Sequence, residues 1–150
     1  MTGPDLCRVR DRLPDGFAAL AAQAEAEGFA HMRRLAVDWA SGVLRFDGSG
    51  EVLLSAWSGG RLVGIGGLTR DPDVSGALRM RRFHVLPGLR GQGIGTALAL
   101  RLMADASAPL TVNPGNPAAA RFWESLGFER HGDGPPSHRH APIAARGESR

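Results

Sequence analysis

The sequence predicts a mixed α/β domain, one sheet with helices on both faces, from three observations. Helical patterns fill the stretch before Gly42, two strands joined by Ser58-Gly59-Gly60 follow, and two strand-then-helix units occupy residues 78–126. At 150 residues the chain is one domain, long enough to bury about two-thirds of its unfolded surface around a single core. No repeat, linker or low-complexity boundary divides it. The expected domain is 1–143, followed by a disordered polar tail at 144–150.

Each element has a local cause. Leu6 to Arg10 alternates weakly, as a short strand does, and the alanine-rich run from Pro14 to Glu27 is strongly helix-forming until Gly28. Phe29 to Ala40 is a second helix, with Met32, Leu35, Ala36 and Trp39 on one face and Gly42 as its stop. Val52–Trp57 and Arg61–Leu68 form a hairpin, because paired glycines tolerate the positive φ of tight turns. Leu78–Val85 is a strand after the Asp71-Pro72-Asp73 loop, and the helix that follows carries Ile94, Leu98 and Leu102 on one face. Leu110–Val112 is a short strand. Asn116 then caps a helix over 117–126, with Pro117 in its first turn and Gly127 past its end. Phe128–His131 is a strand, and Ser137–Ile143 is expected at the sheet edge.

Composition narrows the function. There are 18 basic against 15 acidic residues, a net charge of +3, and every basic residue is Arg, which raises the isoelectric point without a nucleic-acid-binding stripe. No apolar run approaches the ~18 residues of a membrane span, and the charged N-terminus is unlike a signal peptide. Cys7 stands alone, so no internal disulfide is possible. The expectation is a cytoplasmic protein, with neither nucleic-acid nor membrane partners, as a monomer or homodimer.

The most informative segment is Arg90-Gly91-Gln92-Gly93-Ile94-Gly95, a glycine-rich turn that leads from a strand into a helix. Backbone amides at a helix start are unpaired and partly positive, and glycines let phosphate oxygens approach them. Rival phosphate loops fail on spacing. A G-x-G-x-x-G run from Gly91 requires glycine where Thr96 stands, and a nucleotide-triphosphate loop requires a Lys that the chain lacks.

This turn resembles the coenzyme A loop of the GCN5-related N-acetyltransferases (GNAT), in which Arg or Gln is followed after two residues by Gly-x-Gly or Gly-x-Ala. Arg90, Gly93 and Gly95 fill that pattern. A second stretch, Asn116-Pro117-Ala118-Ala119-Ala120-Arg121-Phe122-Trp123-Glu124-Ser125-Leu126-Gly127-Phe128, is similar to another motif of the same family, with Asn, Phe-Tyr and Gly-Phe at these spacings. The resemblance covers about residues 78–131. It implies the acyl-CoA N-acyltransferase fold, with a mostly antiparallel sheet, and acetyl-CoA as cosubstrate without a metal. It further implies direct transfer of acetyl to a primary amine of a small molecule or peptide in a ternary complex.

By that resemblance the backbone of Phe83, His84 and Val85 meets pantetheine, and a strand amide, that of Phe83, stabilises the oxyanion. The amides of Arg90, Gly91, Gln92, Gly93, Ile94, Gly95 and Thr96 hold the pyrophosphate, while Asn116, Phe122 and Trp123 border the pantetheine arm. Trp123 occupies the position of the family's tyrosine, which protonates the departing thiolate. An indole N–H does not ionise usefully near neutral pH, and the chain has no Tyr. Acid catalysis contributes about 10²- to 10⁴-fold, whereas positioning supplies roughly 7–11 kcal/mol, and a thiol of pKa about 8.5 leaves tolerably as thiolate, with water or Ser125 as later proton sources. The alternative function is a non-catalytic coenzyme A-binding module.

An amine of pKa about 10.4 needs a proton acceptor at pH 7. Glu51, His84, Asp71 and Asp73 are candidates, although strand alternation can turn His84 toward the helix-covered face. Arg79 and Arg81, two residues apart on one strand face, are candidates to bind an acidic group on the acceptor, or else form a salt-bridged edge. Phe29 and Trp39 either wall an acceptor pocket or pack in the core. His131, His138 and His140 lack a carboxylate or cysteine at ligand spacing, so no metal site is expected.

Overall fold

The computed structural model describes residues 3–140, so the tail expected at 144–150 and the last residues of the Ser137–Ile143 segment lie outside the described residues. The elements in chain order are β1 (Asp5–Arg8), α1 (Phe17–Ala26), α2 (His31–Ser41), β2 (Val52–Ser58), β3 (Arg61–Arg70), β4 (Leu78–Val85), α3 (Ile94–Asp105), β5 (Leu110–Val112), α4 (Pro117–Ser125), β6 (Glu129–Arg130) and β7 (His138–His140). The seven strands form one sheet ordered β1-β2-β3-β4-β5-β7-β6. Only β4 and β5 run parallel; all other neighbours are antiparallel.

Turn chemistry explains the boundaries. Gly59 and Gly60, at φ 58° and 78°, make the β2–β3 turn. Gly42 closes α2 with its amide on the Trp39 carbonyl at φ 80°. Asn116 caps α4, accepting from the Ala119 amide at 2.8 Å.

Strand alternation sends neighbours to opposite faces. A Cβ at Gly64 would meet Ile94 and Leu98 of α3, whereas His84, opposite Ile65, bonds Gln23 of α1. Helices α1 and α2 therefore cover one face and α3 the other. Met32 and Leu35 of α2, Leu53 and Ile65 of the sheet, and Leu98 and Ala99 of α3 are fully buried. Each large aliphatic among them contributes about 1.5–3 kcal/mol.

Three expectations need correction. The segment at 138–140 is not an edge strand: β7 lies between β5 and β6, and the two exposed residues of β6 form the edge. Phe128 is 2 % exposed and belongs to the core rather than to β6, because it packs against Trp123 and His140. Trp39 is likewise core, and Phe29 precedes α2 instead of lying on it.

A buried ion-pair network fixes the joint between β4 and β5. Arg79 donates to Asp71 and Asp73, each at 2.8 Å, and the Thr111 hydroxyl of β5 donates to Asp71. Burial pushes the Asp71 carboxyl up, but the Thr111 hydroxyl, the Asp73 and Val74 amides and Arg79 outweigh it, leaving the pKa below its ordinary value.

Candidate functional site

Parallel strands β4 and β5 pair only from Leu78↔Leu110 to Met80↔Val112. Strand β5 ends there and β4 continues to Val85, so the sheet splits beside residues 81–85. Within the split β4 is bulged. Arg81 faces Gly67 and His84 faces Ile65, leaving Arg82 and Phe83 together opposite Gly66. Arg82 holds φ 61°, a left-handed conformation that costs a non-glycine residue about 1–2 kcal/mol. Gly66 is required here, because a Cβ would lie 2.8 Å from the Phe83 ring.

The register also aims the main chain. The Leu86 amide bonds the Val63 carbonyl at 3.0 Å, so the carbonyl of Val85 turns away from β3, toward the split. Two side chains meet the strand there. Arg90 Nε donates to the Val85 carbonyl and His31 Nε2 to the Phe83 carbonyl, both at 2.9 Å. A carbonyl only accepts, so His31 carries its proton on Nε2. Burial pushes its pKa below the ordinary histidine value, and it is neutral at pH 7. His31 is the residue that sequence reasoning missed. It lies 52 residues from its partner, and nothing in the local pattern distinguishes it from a helix-surface histidine.

At the open end of the split lies the glycine turn. Gly91 and Gly93 take φ 82° and 86°, and a Cβ on either would meet nothing within 4 Å. The glycines thus supply backbone conformation rather than room for a neighbouring side chain. The first backbone bond of α3 runs from the Ala97 amide to the Gly93 carbonyl at 2.9 Å, and no side chain caps the helix. Among the described residues, none of the amides from Gly91 through Thr96 has an acceptor. Residues 90–93 are exposed, so this partly positive edge faces solvent.

The Arg90 side chain points elsewhere. Its guanidinium grips Glu27, just past the end of α1, at 2.6 and 2.7 Å, and so ties the turn to α1 as well as to β4. These bonds from Arg90 hold the Glu27 carboxyl down at about 2. The Arg90 amide is also occupied, donating to the Pro87 carbonyl at 3.4 Å, so the amide expected of Arg90 is not free for a phosphate and the acceptor-free run begins at Gly91.

Across the split stands α4. Trp123 is buried, edge-on to Phe83, Phe122 and Phe128 at centroid distances of 4.8, 4.9 and 5.3 Å. Its indole N–H donates to no described residue. A Cβ at Gly95 would sit 3.5 Å from Phe122, which places the start of α3 against this aromatic cluster. Phe83, Gly95, Phe122 and Trp123 are therefore brought together, while the Asn116 carbonyl is occupied as a helix cap. The Ser125 hydroxyl is committed to the Phe122 carbonyl at 2.6 Å.

The proton-acceptor candidates fare differently. His84 is 5 % exposed, faces α1 and bonds Gln23 at 2.7 Å; burial above all, then His31 and Arg90, pushes its pKa down to about 4. Its side chain lies on the helix-covered face, and as a base it is weak. Glu51 accepts from the Gly48 and Arg70 amides at the Leu78 end of the sheet, away from the glycine turn. Asp71, Asp73 and Arg79 are spent on one another. His138 bonds Glu124 through Nε2 at 2.8 Å and Ser137 through Nδ1 at 2.7 Å, and no cluster suited to a metal occurs among the described residues. None of their helices is long and apolar enough to cross a membrane.

A split parallel pair, a bulged strand and an amide-lined helix start adjoin one another here, and comparison with known proteins identifies the family. The profile of the Acetyltransferase (GNAT) family matches residues 19–128, and the chain belongs to that family. Its fold superimposes on a candidate acetyltransferase from Exiguobacterium sp. 255-15 with a TM-score of 0.85 at 25 % identity, covering 99 % of this chain and 100 % of the other. It resembles the GNAT family N-acetyltransferase YhbS of Escherichia coli, solved with CoA, with a TM-score of 0.65 and 17 % identity over 95 % of this chain and 83 % of that one. The Bacillus subtilis N-acetyltransferase YlbP, also solved with coenzyme A, gives 0.61 and 17 % over 93 % and 97 %. No curated protein matches.

Proposed function

We propose that the protein transfers acetyl from acetyl-CoA to a primary amine by direct attack in a ternary complex. The observation that carries this reading is the run of acceptor-free amides from Gly91 to Thr96 at the open end of the β4–β5 split. A diphosphate at those amides would leave the pantetheine arm to run along β4, between the strand and the Phe122–Trp123 face of α4. The carbonyls of Phe83 and Val85 each keep a second lone pair for an amide donor.

The thioester would then lie at the bulge, where the strand ladder skips Arg82 and Phe83. The Phe83 amide is the proposed oxyanion donor, and the strained Arg82 conformation holds its peptide in place. As the amine attacks, a C–N bond forms and the C–S bond breaks; coenzyme A leaves as thiolate, and the proton lost from the amine nitrogen passes to solvent water. No described residue supplies an ordinary general acid, and Trp123 orients the sulfur through its indole N–H. Rate enhancement rests on register, which supplies roughly 7–11 kcal/mol.

One observation favours a second reading, a coenzyme A-binding module without turnover: the tyrosine position holds Trp123 and the chain contains no Tyr. Mixing the protein with acetyl-CoA and a panel of primary amines, while following free thiol, separates the two. Acceptor-dependent thiol release is expected. Coenzyme A binding without release under any amine would establish the second reading instead.

A further inference from the structure

Three arginines lie near one another on β4, and two are neutralised. Arg79 is held by Asp71 and Asp73, and Arg82 is paired with Asp38 of α2 at 3.4 Å. Arg81, between them, is different. It is half-buried yet makes no hydrogen bond or ion pair with any described residue, and its guanidinium nitrogens keep contact with solvent. A cation held partly out of water without a partner is an unfavourable arrangement that proteins seldom retain without a use. Burial, then the flanking Arg82 and Arg79 charges, lower its pKa, and the nearby Asp38 and Asp71 carboxylates offset this only in part.

Its position gives the use. Arg81 follows Met80, the last residue of β4 paired to β5, and so borders the vertex of the split. It stands opposite Gly67, on the face where a Cβ at Gly67 would strike Phe46 and where α2 packs. Phe83, the proposed oxyanion donor, is two residues further on, within the bulge. Asp38 and Asp71 act on Arg81 only through space, since their short contacts go to Arg82 and Arg79, so the Arg81 guanidinium keeps its hydrogen-bond donors without an acceptor among the described residues.

We infer that Arg81 binds an anionic group of the acceptor, and that the acceptor is a small primary amine also bearing a carboxylate. The inference rests on the acetyl-transfer reading above and names its substrate class. Arginine suits the task, since its planar fork takes a carboxylate bidentately and stays charged despite the lowered pKa.

The test uses matched acceptors, free amino acids against their carboxamides, with acetyl-CoA and thiol detection. The carboxylates are expected to exceed their amides by roughly 10- to 100-fold in kcat/KM, the range of a charged hydrogen bond. Arg81→Gln should erase the difference while leaving the Kd for coenzyme A unchanged by calorimetry, and Arg81→Lys should restore part of it. Equal use of acids and amides, or an equal loss for both in Arg81→Gln, overturns the inference and leaves the acetyl-transfer reading intact. Should no amine be acetylated, ligand-observed NMR of N-acetylglycine against N-acetylglycinamide on the CoA-loaded protein decides separately. Preference for the acid in wild type but not in Arg81→Gln supports the site, and no preference overturns it. Failure of the acetyl-transfer reading shows instead as absent coenzyme A binding or absent thiol release across the whole panel.

Discussion

Replacing Gly93 by Asp tests the amide cradle most directly. Gly93 has φ 86° and open space beyond its Cβ, so a side chain meets no clash and the cost is conformational. For alanine that cost is about 1–2 kcal/mol, equivalent to a fall in Tm of about 2–8 °C at 2–4 °C per kcal/mol. Asp tolerates the left-handed region better, so Gly93→Asp should melt no lower than Gly93→Ala. Binding should separate the two variants sharply. A carboxylate about 5 Å from each charge of a bound diphosphate repels it by roughly 1–3 kcal/mol, for an effective dielectric constant between about 80 and 20. Two such charges give at least about 1.7 kcal/mol, or roughly 15-fold in Kd. The assay is titration calorimetry with coenzyme A, alongside thermal melts of both variants. If Gly93→Asp binds coenzyme A within about threefold of wild type while folded, the amides at 91–96 are not the phosphate site.

Other perturbations address the joints of the split. Arg79→Met leaves the buried Asp71 charge without its cation and should cost about 3–5 kcal/mol by urea denaturation; a loss below about 1 kcal/mol would show that the β4–β5 joint does not depend on the pair. Glu27→Gln should weaken coenzyme A binding by loosening the Arg90 anchor. Because the Glu27 pKa lies at about 2 when folded, its contribution is present above about 4.5 and lost as pH falls through about 2. The stability gap between wild type and this variant should therefore narrow in acid, and an unchanged gap would refute the pairing. His84 has the opposite charge sense but also a depressed pKa, about 4. The folded state resists its protonation, so stability is complete above about 6.5 and declines toward pH 4 by up to about 1.4 kcal/mol per pH unit. His84→Gln should flatten that decline in denaturation midpoints measured from pH 7 to pH 4.

Much of the architecture is legible in local chemistry. The Leu78–Val85 strand, the Gly59-Gly60 turn, the Asn116 cap and the glycine turn before Ile94 all follow from residue types acting within a few positions of one another. The short strands are less legible. Two residues of β6 and three of β7 carry too little pattern to reveal their order in the sheet, which depends on which strand β5 recruits. The candidate site divides the same way. Its phosphate loop is a local motif, but the bulge at Arg82 is invisible locally, because Arg is not a residue that usually takes φ 61°.

Taken alone, the sequence determined the family resemblance, the order of the main elements and the amide-rich helix start, since each depends on spacing along the chain. Only the tertiary structure decided which charged side chains are available to a ligand. Asp71, Asp73, Arg79, Glu27 and Arg90 are consumed by partners 6 to 63 residues away, whereas Arg81 has none among the described residues. Charge availability is a property of three-dimensional neighbours, because an ion pair forms wherever folding brings opposite charges within about 4 Å, whatever their separation in sequence.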